Sequence, residues 1–219
     1  MKTRPVVYTA IFGGYDELRA YPTTADCDFI CFTDDPALAT PGWTVKVVAP
    51  RRGHPRIDAK YFKLMPHEVL GEYQVSLWLD ASLSPKRSFV ADALASLATS
   101  PLGLFDHPER QCIYDEASFC ADMPKYRSQR VREQVEAYRL TGYPAGHGLY
   151  ACGVLARRHH DPTVKAVDEA WWRENLAWTW QDQLSLPVVL RQHGLTPALM
   201  PGNLWHNDWF TYAGHRRDD

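Results

Sequence analysis

Asp80 ends the apolar run Val75-Ser76-Leu77-Trp78-Leu79, which places a carboxylate at the lip of a strand. Such a group can hold a hard divalent cation, Mn²⁺ or Mg²⁺, since these ions prefer oxygen ligands and often use one or two carboxylates beside substrate phosphates. The cation would neutralise a pyrophosphate and assist its departure as a Lewis acid. Two other apolar runs also lead into acids. Gly13-Gly14-Tyr15-Asp16 follows 6–12, and Asp34-Asp35 follows 28–33. Ligands of open α/β sheets bind outside the carboxyl ends of strands, so three acidic sites there can converge on one cleft. Each acid can equally cap a turn or helix, and Pro36 favours that reading for Asp34 and Asp35.

Other side chains fit the same chemistry. The Gly13-Gly14 pair would let the backbone approach a ligand with no Cβ in the way, although a plain tight turn needs the same residues. Lys60 and Lys63 share one helical face, where they would meet phosphates, pair with Asp80 or face solvent. His107 and Arg110 could bind a phosphate or an acceptor, and Asp115 or Glu116 could take an acceptor proton. An internal His/Arg/Glu salt-bridge network would account for the same residues without chemistry. Six of the eight tryptophans fall between Trp171 and Trp209. Trp171 and Trp178 fit a buried helical face, whereas Trp180, Trp205 and Trp209 fall at loop positions where they could stack on a saccharide.

Elements must hold these residues in place. Short β-rich runs occur at 6–12, 28–33, 43–48, 75–79, 103–105 and 149–155, with helical stretches between several of them. Val164, Val167, Trp171 and Trp178 keep helical spacing. Segment 57–70 reads as a helix disturbed at Pro66, and a last helix starts after Ser185 as N-cap with Pro187 in its first turn. Alternating strands and helices predict an α/β fold with a mostly parallel sheet covered on both faces, in which later strands could run antiparallel. At 219 residues and 45% hydrophobic content, a single domain with a core at about 5–200 and a short tail is the economical reading.

Composition narrows the function. Lys and Arg number 24 against 26 Asp and Glu, so no single-sign field points to nucleic acid or a membrane surface. There is no convincing signal peptide and no apolar stretch long enough to span a bilayer, which predicts a cytoplasmic protein. Five cysteines without a C-x-x-C pair read as reduced thiols rather than as a zinc site.

The phrases VYTAIFGGYDEL, FICFTDD, AKYFKLMPHEVL, SLWLDAS, FDHPERQCIYDEA, GLYACGVLARRH and WTWQDQLSLP run in order across most of the chain. Together they resemble the family known as domain of unknown function 616, a glycosyltransferase-like group of bacteria and plants. The resemblance implies a GT-A-like fold, in which a Rossmann-like sheet holds a nucleotide sugar. It implies transfer from a nucleotide-diphosphate donor, UDP-linked by expectation, to a glycan or other hydroxyl acceptor, as in polysaccharide biosynthesis. A non-catalytic nucleotide-sugar-binding module and a metal-assisted hydrolase are the rival readings. Against the wider GT-A group, Asp80-Ala81-Ser82 stands where an Asp-x-Asp metal motif lies, with Ser82 in place of its last acid. His206 could complete a metal site with Asp80 and Ser82. Asp182 would act as base or hold sugar hydroxyls, Glu116 and His107 would assist catalysis, and Tyr15, Trp180 and Gln183 would join Gly13, Gly14, Asp34, Asp35, Lys60, Lys63 and Arg110 in substrate binding.

Overall fold

A computed structural model describes residues 2–21 and 26–216. Its main sheet has seven strands: β1 (Val6–Ile11), β2 (Asp28–Thr33), β3 (Thr44–Val47), β4 (Ser76–Leu79), β6 (Leu102–Asp106), β7 (Tyr150–Arg157) and β8 (Ala198–Leu199). Their order is β3-β2-β1-β4-β7-β6-β8. All run parallel except β7, which is antiparallel to both β4 and β6. The expected GT-A-like, mostly parallel α/β sheet in a single domain is the fold observed. A two-stranded ribbon pairs β5 (Leu83–Pro85) with β9 (Phe210–Tyr212).

Side chains alternate across the strands and so build two cores. Val6, Tyr8 and Ala10 pack beneath α1 (Pro55–Leu64), α6 (Pro162–Ala177) and α7 (Asp182–Gln192), through Phe62, Leu64, Val164, Val167, Trp171, Leu186 and Val189. Val7, Leu77 and Leu79 face the other way, onto α3 (Val90–Ser96) and the β9 segment, through Phe89, Ala93, Trp209 and Phe210. The remaining helices are α2 (Pro66–Val69), α4 (Ile113–Ala121) and α5 (Val131–Leu140). No helix among the described residues is long and apolar enough to cross a membrane.

Three expectations need correction. Pro66 does not merely disturb a helix: α1 ends at Leu64 and a separate short α2 begins at Pro66. The last helix starts at Asp182 with Gln181 as N-cap, so Ser185 lies inside it, buried, with its hydroxyl donating to the Asp182 carbonyl at 3.4 Å. Pro187 therefore falls within the helix rather than in its first turn, where it withholds one N–H from the Gln183 carbonyl. Trp178 is half-buried just beyond α6, under the Arg130 guanidinium at 4.5 Å, and is not core.

Chain order reverses between β1 and β4. The chain adds β2 and β3 on one side of β1 and then returns to place β4 on the other, which opens a crevice at the strand ends. Gly13 and Gly14 turn the chain sharply after β1, with φ of 59° and 61°. A Cβ on Gly13 would sit 2.6 Å from the Pro55 ring at the start of α1. Gly13→Ala should therefore cost about 1–3 kcal/mol of stability through left-handed strain and displacement of α1. Urea unfolding measures it; a variant as stable as the wild type would show that the turn does not fix α1.

Candidate functional site

A cavity of about 480 Å³ opens at the crevice between β1 and β4. Ala10 of β1, Asp80 beyond β4 and the early residues of β7 (Ala151, Cys152, Gly153) form part of its lining. Because β7 runs antiparallel, its beginning lies beside the carboxyl end of β4, and the Asp80 N–H donates to the Gly153 carbonyl at 2.8 Å. Gly153 also makes room there: an added Cβ would come within 3.0 Å of Leu204 and 3.5 Å of the Asp80 Oδ2.

Two lysines reach the cavity floor from α1. Lys63 Nζ lies 3.1 Å from Asp80 Oδ1 and 2.8 Å from Asp182 Oδ2, and Lys60 Nζ pairs with the same Asp182 oxygen. Asp182 stands in the first turn of α7, so the floor is assembled from α1, β4 and α7. Lys63 is buried to 2% exposure and Asp182 to 6%, so these charges are largely removed from water. Burial by itself would raise Asp182, but the ammonium groups of Lys60 and Lys63 outweigh it and hold the carboxyl at about 2. Burial would lower Lys63 too, and there Asp182 and Asp80 prevail and raise it. For Lys60 burial wins and the pKa falls. Trp78 Nε1 donates to Asp80 Oδ1 at 2.5 Å and fixes the carboxylate from below.

A buried guanidinium supports Lys63 from behind. Because α1 stops before Pro66, the Lys63 carbonyl has no helical N–H to accept from. Arg157 Nη2 supplies a donor at 2.5 Å, and the Tyr8 hydroxyl lies 3.3 Å from the same oxygen. Arg157 is itself held by Asp168 of α6 at 3.0 Å.

The far wall is a second polar network. Glu116 of α4 accepts from Arg110 Nε at 2.5 Å, Gln181 Nε2 at 2.8 Å and the Cys120 thiol at 3.3 Å. His107 Nδ1 accepts the backbone N–H groups of Glu109 and Arg110, so its proton belongs on Nε2, 3.8 Å from Glu116. Burial lowers the His107 pKa against the pull of Glu116, so the ring is neutral near pH 7. Gln181 also bonds Gln183 and the Tyr126 hydroxyl. Of the two readings left open, the internal network is the arrangement found for His107, Arg110 and Glu116, and it borders the cavity; Asp115 is exposed and stands outside both.

A family model described as the TOD1/MUCI70 glycosyltransferase-like domain matches residues 43–200. The chain belongs to this family. The match supports a glycosyltransferase-like protein without carrying the name domain of unknown function 616. No curated protein matches the chain in a sequence comparison. Among solved structures, the fold is similar to that titled WbbM bifunctional glycosyltransferase in its apo form, with a TM-score of 0.52 and 9% identity. That likeness covers 90% of this chain but 38% of the other.

Most of the expected residues of this TOD1/MUCI70-type domain meet at the cavity: Tyr15, Lys60, Lys63, Asp80, Ser82, His107, Arg110, Glu116, Trp180, Asp182 and Gln183 all line it. Trp205 lines it as well, whereas Trp209 is buried core with its indole N–H on Asp92 at 3.0 Å. Gly13, Gly14, Asp34 and Asp35 are not among the lining residues. Asp34 accepts the Gly13 N–H at 2.9 Å, across to the turn after β1, and Asp35 caps its own turn through the Ala37 N–H at 2.8 Å. His206 is exposed and outside the lining; the tail histidine at the cavity is His215, bonded to Asp16 at 3.0 Å. Among the described residues no three His, Cys, Asp or Glu side chains cluster closely enough to hold a metal ion. Asp80 and Ser82 offer one carboxylate and one hydroxyl, and Lys63 and Trp78 already occupy an oxygen of that carboxylate, so these donors do not by themselves fit a divalent cation.

Arg56, Lys125, Tyr126 and His215 also line the cavity and were not foreseen. Arg56 had a signal, since it stands four residues before Lys60 on the same helical face. Lys125, in the single 3-10 turn Pro124–Tyr126, and His215, in an irregular segment, had none.

Asp182→Asn removes one of the two carboxylates that hold the buried lysines and should cost about 3 kcal/mol at neutral pH. Asp182 is depressed in the folded state. Its stabilisation is therefore fully present above the unfolded value of about 3.9 and lost as pH falls towards about 2. Denaturant unfolding of both proteins should show the stability gap closing across that window; a gap independent of pH would place the stabilisation elsewhere.

Proposed function

We propose that the cavity binds a nucleotide-diphosphate sugar, with UDP-linked donors the first to test, and transfers the sugar to a hydroxyl of a glycan or other acceptor. The observation that carries this reading is the convergence of Lys60, Lys63, Asp80 and Asp182 at the crevice where chain order reverses. The cavity volume falls in the range of small-molecule sites, about 300–1,000 Å³. Membership in a glycosyltransferase-like family and the fold of the structural neighbour support the same class.

In such a transfer the acceptor oxygen bonds the anomeric carbon, the bond to the diphosphate breaks, and the acceptor's hydroxyl proton passes to the departing diphosphate oxygen. The electron pair leaves with the diphosphate. Charge grows on the leaving group, and fixed cations aimed at it need no reorganisation when it forms. Lys60 and Lys63 are held in that way by their carboxylates. A carboxyl held at about 2 is a weak base, so Asp182 serves by fixing the lysines and accepting hydrogen bonds from sugar hydroxyls. Trp180 and Trp205 offer aromatic surface at the rim for a sugar face.

The test is an assay of UDP- and GDP-sugars with a hydroxyl acceptor panel, run with Mn²⁺ and with EDTA and analysed for products. A glycosylated acceptor is expected; free sugar alone indicates a hydrolase, and nucleotide binding without turnover a binding module. Asp80→Asn keeps an acceptor for Trp78 but removes the charge that orients Lys63. It should lower turnover by about 10²–10³ with the fold retained. Undiminished turnover in that variant would remove Asp80 from the mechanism.

A further inference from the structure

Among the described residues, five carboxylates line the cavity, and four of them face lysine or arginine. Asp80 faces Lys63, Asp182 faces Lys60 and Lys63, and Glu109 and Glu116 face Arg110. Asp16 is the fifth. Its partner is an imidazole: His215 Nδ1 lies 3.0 and 3.1 Å from its two oxygens, and the Asp16 side chain is 12% exposed. An ionised carboxylate only accepts, so the ring proton sits on Nδ1 and the neutral imidazole keeps its lone pair on Nε2. Nε2 makes no hydrogen bond among the described residues.

His107, the second histidine of the lining, differs in this respect. Its Nδ1 lone pair is taken by two backbone N–H groups, and its proton is on Nε2. That leaves His215 as the imidazole with both a free lone pair and a carboxylate to orient it, the arrangement expected of a base and its orienting group. Aromatic rings stand beside it. Tyr15 packs 5.0 Å from the imidazole and Tyr212 6.5 Å from it, and Trp205 meets Tyr212 at 5.1 Å. All of them line the cavity, yet Trp205 is 45% and Tyr212 52% exposed. Such a surface, apolar but open to solvent, suits the face of an incoming sugar, whose hydroxyls would then lie beside Nε2.

We propose that His215, oriented by Asp16, carries the proton of the transfer and marks the acceptor end of the cavity. This rests on the glycosyl-transfer reading of the site. A lone pair of the acceptor oxygen forms the bond to the anomeric carbon while Nε2 takes the hydroxyl proton, and the O–H electron pair stays on that oxygen. The imidazolium is stabilised by Asp16 while it lasts. It then gives its proton to the departing diphosphate oxygen, and the ring is neutral again.

Steady-state transfer by the full chain tests it, with the nucleotide sugar and hydroxyl acceptor that the wild type uses. His215→Gln keeps an N–H for Asp16 but cannot carry a proton, so kcat should fall by about 10²-fold or more while the donor KM changes little. Asp16→Asn also offers an N–H to the ring and so admits the wrong tautomer; its kcat should fall about tenfold or more. His215→Ala separates a carrier from a mere anchor of the tail. Added imidazole should restore part of its turnover, and should leave the wild type unaffected. Thermal unfolding confirms that each variant is folded. Wild-type turnover in His215→Gln, or a folded and inactive His215→Ala that imidazole does not revive, overturns the carrier. The two readings fail separately: transfer indifferent to His215 removes only the carrier, whereas a wild type that yields no glycosylated acceptor removes the transfer reading and the carrier with it.

Discussion

Two ammonium groups carried into the interior on one turn of helix set the terms for the rest of this structure. Removing an ion from water costs several kcal/mol even after relaxation, and a buried pair recovers that cost only with good geometry and further hydrogen bonds. Lys63, at 2% exposure, is therefore tolerable only if Asp80 and Asp182 arrive at the same point. That requirement couples the end of β4, the first turn of α7 and the last turn of α1. Arg157 extends it by one shell, because it caps the Lys63 carbonyl where Pro66 has ended the helix.

The same pairing determines what the floor can do. Charges already matched act as fixed dipoles, strong at short range on a reacting centre and weak as a sink for net charge. Asp182, held at about 2, gives up its usefulness as a proton acceptor in exchange for holding two lysines in place. Glu116 is similarly committed to Arg110, Gln181 and Cys120. The acids of this site therefore organise cations and hydroxyls.

Much of this was legible in the sequence because it depends on local rules. Apolar runs ended in acids, and Asp80 does end β4 at the crevice. Lysines three apart shared a helical face, and Lys63 does pair with Asp80. Asp34 and Asp35 read the same way but bond backbone N–H groups, of Gly13 after the neighbouring strand and of Ala37 two residues on, because nothing in a strand-terminal acid says whether its partner is a ligand or the protein's own backbone. The start of α7 lies four residues before the expected one, since Ser185 makes a plausible cap and Pro187 a plausible first-turn residue; packing of Leu184 and Leu186 in the buried core overrode both. Lys125 and His215 owe their positions to tertiary contacts that no spacing rule records.

The site is also built from distant parts of the chain, and the division has a physical logic. Lys60, Lys63, Asp80, Glu116, Lys125 and Asp182 all fall within residues 43–200, the span matched by the TOD1/MUCI70 glycosyltransferase-like domain. Tyr15, Asp16, Trp205, Tyr212 and His215 fall outside it, yet they wall the same cavity. Tyr15 and Asp16 come from the turn after β1, whereas Trp205, Tyr212 and His215 are brought there by the ribbon of β5 and β9, which begins three residues after Asp80, and by the Ala213 N–H donating to the Ser82 carbonyl at 2.8 Å. The strand that leaves the charged floor thus becomes the template on which the last strand pairs. Charge chemistry is anchored in the sheet and its helices, where burial fixes it, while the aromatic rim hangs on a two-stranded ribbon and a tail held by Asp16 and His215. A floor fixed by burial and a rim carried on a two-stranded ribbon suit the proposed role, in which charges stay still while a bulky sugar ligand enters.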